Sequence, residues 1–232
     1  MRGMKTILVV GGAGEVGEGI VRQLLEKGHR VLVQSRSKDK VTQLATRLGN
    51  PALLIPIIGD ISDESKLRRL QENVQSRGHS LDSVVASVGS WWSGPALIDL
   101  DLATFNQVLA ERLTTHFLVA KTFLKVLKDK PEASYLFIHS AAGFTPIPNS
   151  GPVSIAGAAQ AMLKDVFAKE LEASPVRINM LTMMGSIATR SHPNSDPEGL
   201  TADDVGAYVA NLVESDTRGE SIRFSHRREL PT

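Results

Sequence analysis

Ile7-Leu8-Val9-Val10-Gly11-Gly12-Ala13-Gly14-Glu15-Val16-Gly17-Glu18-Gly19 decides the fold. Ile7 to Val10 is an unbroken apolar run, the pattern of a parallel strand buried on both faces. Glycines then punctuate a turn, and Ile20, Val21, Leu24 and Leu25 open a helical period. Within this strand-turn-helix unit, Gly12, Gly14 and Gly17 fit G-x-G-x-x-G, while Gly11, Gly14 and Gly17 fit G-x-x-G-x-x-G. Glycine suits a tight turn, a close backbone approach by a pyrophosphate, and close helix-strand packing. The free N–H groups and positive dipole end of the helix then face the phosphates. Glycines also mark ordinary tight turns, but the position between a buried strand and a helix favours a dinucleotide cradle built from Gly11, Gly12, Gly14, Glu15, Val16 and Gly17.

Working outward, strand-like runs alternate with amphipathic helical segments. Val31 to Gln34, Ala52 to Ile58, Ser83 to Ser87, Tyr135 to Ser140, Val176 to Thr182 and Ser221 to Phe224 read as further strands. Helices are expected near Asp39 to Leu48, Asp63 to Arg77, Leu102 to Leu127, Val153 to Glu172 and Ala202 to Glu214. Such alternation predicts an α/β, doubly wound parallel sheet of about seven strands with helices on both faces. With 232 residues, one domain spanning 1–232 is the expectation. The Pro/Ser/Asn-rich stretch 191–199 is either a substrate-side lid or a surface loop.

A net charge of +1, with 22% charged residues dispersed along the chain, offers no strong field for nucleic acid or an anionic membrane. The absence of cysteine excludes disulfides, thiolate catalysis and thiolate zinc sites, and the six histidines show no H-E-x-x-H spacing, so no metal site is expected. No apolar run approaches the roughly 20 residues of a membrane span, and no signal-peptide pattern precedes the first strand. A cytoplasmic protein is expected.

The end of the second strand reads Val31-Leu32-Val33-Gln34-Ser35-Arg36-Ser37-Lys38. An acid here would accept a hydrogen bond from the ribose 2′-hydroxyl of NAD. Ser35 and Arg36 stand instead, and a guanidinium matches a 2′-phosphate in charge and geometry, which favours NADP(H) over NAD(H). The alternative is a solvated surface arginine.

With these motifs the chain resembles the short-chain dehydrogenase/reductase family over nearly its whole length, and the resemblance implies a Rossmann-type fold. Asp60-Ile61 matches the family's Asp-hydrophobic pair and implies an adenine contact for Asp60, though a helix-capping role also suits it. Ala86-Ser87-Val88-Gly89 stands where the family has Asn-Asn-Ala-Gly, so contacts from Ser87 and Gly89 would be made by backbone. Ile187-Ala188-Thr189 resembles the run that grips the nicotinamide amide, which implicates Ile187 and Thr189.

At the catalytic centre the sequence departs from the pattern. Ser140 matches the family serine. Thirteen residues on, however, Val153 replaces the tyrosine and Gly157 the lysine of Tyr-x-x-x-Lys, while Arg112 replaces the helix asparagine. Losing a positioned general acid typically forfeits on the order of 10² to 10⁴ in rate. Tyr135, five residues before Ser140, points to the other face of its strand, and Tyr208 has no motif to place it. Lys164 shares a helix face with Gly157 but lies two turns on. His139 and Ser140, as strand neighbours, face opposite ways, so a dyad is not expected.

Trp91, Trp92 and Arg112 form a candidate small-molecule site, against the alternatives of rim packing for the tryptophans and a solvated or paired arginine. Small residues Ala156, Gly157, Ala158, Ala159 and Ala161 would permit close helix packing, and the resemblance implies a homodimer or homotetramer, although a helix packed on its own sheet also favours small residues. Three readings stay open: an NADP(H)-binding member without standard reductase chemistry, an active reductase with another proton donor, and a structural or regulatory subunit without nucleotide.

Overall fold

The protein, described as a computed structural model over residues 3–78, 80–193 and 199–229, begins with β1 (Thr6–Val10), α1 (Glu15–Glu26), β2 (Arg30–Ser35), α2 (Lys38–Arg47), β3 (Leu54–Ile58), α3 (Glu64–Ser76) and β4 (Ser83–Ala86). It continues through α4 (Leu102–Leu109), α5 (Thr115–Leu127), β5 (Ser134–Ser140), α6 (Gly151–Glu170), β6 (Arg177–Met183), β7 (Ile187–Ala188), β8 (Leu200–Thr201), α7 (Ala202–Glu214) and β9 (Ser221–Phe224). Seven strands form one parallel sheet in the order β3-β2-β1-β4-β5-β6-β9. The order reverses between β1 and β4, and in open α/β sheets the crevice at the carboxyl ends beside that reversal is where ligands bind.

Alternation along each strand divides the core into two layers. Leu8, Val10, Val84, Tyr135 and Phe137 face α3 and α5, where Leu67, Leu70, Phe123 and Leu127 cover them. Ile7, Val9, Val33, Val85 and Ile138 face α1, α2 and α7 through Ile20, Leu24, Leu44, Val205 and Val209. All five residues of β1 are buried, the consequence of its central place. α1 and α7 cross at glycines: a side chain on Gly19 would collide with the Ala202 carbonyl, and one on Gly206 with the Gly19 carbonyl. Arg22 Nη1 adds an ion pair, reaching both carboxylate oxygens of Asp203 at 2.5 and 2.7 Å.

Two details differ from the sequence expectation. The helix predicted over 102–127 is interrupted by one π turn, Ala110–Thr114, where the Thr115 hydroxyl donates to the Ala110 carbonyl (3.0 Å) and competes with the regular ladder. β7 and β8 form a separate two-stranded parallel sheet, too short to leave a period-2 signature. Among the described residues no helix is long and apolar enough to cross a membrane.

Candidate functional site

The glycine turn leaves β1 at its carboxyl end. Gly11 adopts φ +75°, and a side chain there would strike the Ser87 carbonyl; one on Gly17 would strike the Gly11 carbonyl. Gly14 is the N-cap of α1 and carries no side-chain cap, so no side-chain oxygen occupies the first-turn N–H groups. Glycine is thus required by the close packing of the turn on its own backbone, and the uncapped first-turn donors suit an anion.

Gln34, whose role the sequence reading missed, holds this loop in place. Buried at the end of β2, its Oε1 accepts from Gly11 N (2.9 Å) and its Nε2 donates to the Gly59 carbonyl (2.8 Å), tying the ends of β1, β2 and β3 together. A lone polar residue within the apolar run Val31-Leu32-Val33 was the available signal.

Around the cradle, Ser35 is half-buried and accepts from Ser37 N (3.2 Å), and Arg36 is exposed. Asp60 accepts from Ser62 N (3.0 Å) and from Lys66 Nζ (2.8 Å); the lysine contact, with the Ser62 bonds, holds its carboxyl below the usual range. The helix cap itself is Asp63, not Asp60. Ile61 is buried in the core. Ser87 N donates to the Val10 carbonyl (3.0 Å), and Gly89 has φ +108°. These groups share the carboxyl edge of the sheet with the glycine turn.

Ile187 pairs with Leu200 in the small sheet, and Thr189 closes its own turn by accepting from His192 N (3.3 Å). The following residues reach back to the first turn of α1: Arg190 donates to Glu15 (3.1 Å), as does Ser191 N (3.2 Å). Burial opposes ionisation of Glu15, but the bonds from Ser191 and Thr189 and the Arg190 charge outweigh it and hold the carboxyl below its ordinary value. Val16 packs at the margin of the core. Of the loop 191–199, residues 194–198 lie outside the described residues.

On the other side, Ser140 is half-buried at the end of β5. Val153 and Gly157, which stand where the resemblance puts tyrosine and lysine, are both sealed in. Val153 is 1% exposed and packs with Val108 and Ala142 under Trp92 and Ile147. A Cβ on Gly157 would lie 2.8 Å from Gly143 Cα and 2.9 Å from Gly143 N, so α6 rests directly on the 141–143 turn. His139 fastens that contact: its Nε2 meets the Gly157 carbonyl (2.9 Å) and its Nδ1 the Thr182 hydroxyl (3.1 Å). Burial pushes its pKa down, partly opposed by the Gly157 bond. His139 therefore turns away from Ser140 and into α6, as strand alternation requires.

No other proton donor is gathered here from the three side chains weighed in the sequence. Tyr135 is fully buried in the α3/α5 layer, where desolvation drives its pKa up. Tyr208 packs on Phe224 (ring centroids 5.0 Å apart), and Lys164 Nζ donates to the Gly219 carbonyl (3.0 Å).

Arg112 is half-buried: its Nη2 donates to the Ser90 carbonyl and its guanidinium lies against Gly89. The Arg112 carbonyl accepts from Gln160 Nε2 (3.3 Å) as well as from Thr115 N. Trp91 is 60% exposed, whereas Trp92 belongs to the Val153 cluster, so the two tryptophans divide between open rim and packing.

Comparison with known proteins places this geometry among relatives. The short chain dehydrogenase family model matches residues 5–198. A 3-oxoacyl-[acyl-carrier-protein] reductase of rhamnolipid biosynthesis from Pseudomonas aeruginosa is 30% identical over 206 residues, covering 84% of this chain and 78% of that protein. Among solved structures, a short-chain dehydrogenase/reductase from Serratia marcescens superposes with a TM-score of 0.84 at 19% identity, over 95% of this chain and 96% of its own. ElxO with NADP bound gives 0.83 at 19% identity, over 96% and 98%. At such identities the structural likeness speaks to the fold.

Proposed function

The chain belongs to the short-chain dehydrogenase/reductase family, and from that premise we propose that it binds NADP(H) without performing the family's Tyr/Lys carbonyl reduction, serving as a dinucleotide-responsive regulatory or scaffold protein. The observation that carries this reading is the sealed contact at α6. A carbonyl awaiting hydride needs a proton donor beside it, and the two positions that would supply and tune that donor hold Val153 inside an apolar cluster and Gly157 against backbone.

The tightly packed glycine turn from Gly11 to Gly17, held by Gln34 and leaving the start of α1 without a side-chain cap, supports retention of the nucleotide. Its N–H groups would hold the pyrophosphate, with Arg36 beside the 2′-phosphate and Asp60 toward the adenine. When bound, the nicotinamide supplies or accepts a hydride; Ser140 alone would remain to steady a substrate oxygen. Ser35 and the exposed Arg36 support NADP(H) over NAD(H), and a structural neighbour is described with NADP bound. Exposed Phe117, Ile155, Met162 and Val166 on α5 and α6 support self-association along those helices.

Tryptophan fluorescence titrated with NADPH and NADH tests binding, with Arg36→Asp as the specificity variant. Micromolar NADPH binding whose preference over NADH disappears in the variant is the expected result; an unchanged preference removes Arg36 from the site. Prolonged incubation with NADPH and a carbonyl panel tests the rest. Steady oxidation that is lost in Ser140→Ala would overturn the regulatory reading.

A further inference from the structure

A cavity of about 540 Å³ opens between the last turns of α3 and α5, within the roughly 300–1,000 Å³ of small-molecule sites. Leu81 on its wall leads into β4 and Lys130 leads into β5, so it stands at the amino ends of these strands. The glycine turn and Ser140 stand at the carboxyl ends. The seven residues of β5 put roughly 20 Å between the two ends of the sheet. The hollow exists because Gly78 ends α3: at φ +69° it turns the chain away, its N donating to the Gln75 carbonyl (3.0 Å), and a Cβ there would meet nothing within 4 Å.

Its wall joins an apolar side to a basic one. Half-buried Val126 stands in front of Val74, Leu81 and Phe123, which belong to the core. Lys130 is fixed at the wall, its Nζ donating to Ser80 Oγ (2.9 Å) and to the Leu81 carbonyl (3.0 Å). An ammonium has three donors, so one is left for a guest. Lys125 lines the same cavity, and among the described residues no lining side chain is acidic. The neighbouring acids are turned elsewhere: Asp82 accepts from Thr6 N (2.7 Å), and Asp129 pairs with Lys128 (3.8 Å). Two helix carboxyl ends, at about half a negative charge each, offset about one of the two ammonium charges. The surplus is about one positive charge, which matches one negative charge on an apolar body.

We propose that the cavity between α3 and α5 binds a singly charged organic anion, its charged group on Lys130 and Lys125 and its apolar body against Val126. The site lies at the opposite end of the sheet from the glycine turn and does not depend on the nucleotide reading.

The test titrates naphthalene-2-sulfonate, 2-naphthol and 2-naphthyl phosphate by calorimetry into wild type, Lys130→Gln, Lys125→Gln and Lys128→Gln. Lys128 is an exposed lysine of the same helix end that does not line the cavity, so its variant measures the effect of surface charge alone. Thermal melting verifies folding, and exposed Lys125 carries the test if Lys130→Gln does not fold. The expected result is naphthalene-2-sulfonate binding at least tenfold tighter than 2-naphthol and no weaker than 2-naphthyl phosphate. Its affinity should fall at least tenfold in Lys130→Gln and in Lys125→Gln, and stay unchanged in Lys128→Gln and in excess NADPH. Absence of binding, an affinity equal to that of 2-naphthol, tighter binding of the phosphate, no loss in the Lys130 and Lys125 variants, an equal loss in Lys128→Gln, or displacement by NADPH would each overturn the proposal.

Discussion

Adding one methyl group at Gly157 tests the sealed contact directly. In a helix interior, Gly→Ala ordinarily stabilises by about 1 kcal/mol, because alanine gives up less backbone entropy. Here the new Cβ would stand 2.8 Å from Gly143 Cα and 2.9 Å from Gly143 N, against about 3.5 to 4.0 Å for relaxed carbon contacts. The shortfall must be absorbed by moving α6 off the 141–143 turn, since both obstacles are backbone and neither can rotate away. The shift also pulls the Gly157 carbonyl from His139 Nε2, now at 2.9 Å. Overpacking typically costs about 1–3 kcal/mol, and a collision with backbone belongs at the upper end. After the propensity gain, the net loss is about 1–2 kcal/mol, or a melting temperature lower by roughly 2–8 °C for a chain of this size. Far-UV circular dichroism during thermal and urea unfolding measures it. Ala158→Gly, at the exposed neighbouring position, calibrates the propensity effect and should cost about 1 kcal/mol. A Gly157→Ala protein that melts at or above wild type would refute the contact. The same geometry predicts that Val153→Tyr with Gly157→Lys restores no carbonyl reduction and lowers stability further.

Two more outcomes follow from buried polar groups. His116 is fully buried against the Val88 carbonyl (3.1 Å), and desolvation takes its pKa from 6.5 to about 4, slightly opposed by that bond. A folded-state pKa below the unfolded one means that unfolding takes up a proton, so this stability is present above about pH 6.5 and is lost as pH falls toward 4. Its size is on the order of 3 kcal/mol. His29 and His139 are shifted the same way, burial being the first cause in each. Urea midpoints between pH 4 and 7 should therefore fall toward acid, with a shallower slope in His116→Gln; an equal slope would remove His116 from the effect. Gln34→Leu leaves Gly11 N and the Gly59 carbonyl without their partner, at about 1–3 kcal/mol each, and should weaken NADPH binding along with stability. Unaltered urea midpoint and nucleotide affinity in Gln34→Leu would show that the tie is dispensable.

The sheet was legible because a buried parallel strand needs a continuous apolar run, and Ile7 to Val10 supplies one before its glycines. Ser35 and Arg36 were readable as the end of β2 for the same reason. What sequence could not show were distances set by packing. Gly157 announced a missing lysine, but not that the Gly143 backbone fills its place, because that depends on how closely α6 approaches the turn. Ala156 and Gly157 read as small residues fit for close packing on a partner helix or on their own sheet, and which of the two they serve needed the structure, where both are buried within their own chain. Arg112 could not be aimed from a helical wheel, since one π turn rotates everything after it. Glu15 meets Arg190 across 175 positions, a separation at which local pattern carries no information.

The crossing of α1 and α7 also bears on how the chain is made. Gly19 rests on Ala202, Arg22 on Asp203, and Lys5 Nζ on the Val213 carbonyl 208 positions away. α1 is translated well before α7, its buttress. At about 5–20 residues per second, roughly 9–35 s separate the end of α1 from the start of α7, and during that interval the Gly19 side of α1, which α7 covers, stays bare. A nascent chain halted before Ala202 would display that bare side to chaperones, so α1 gains its full packing only once α7 has been made.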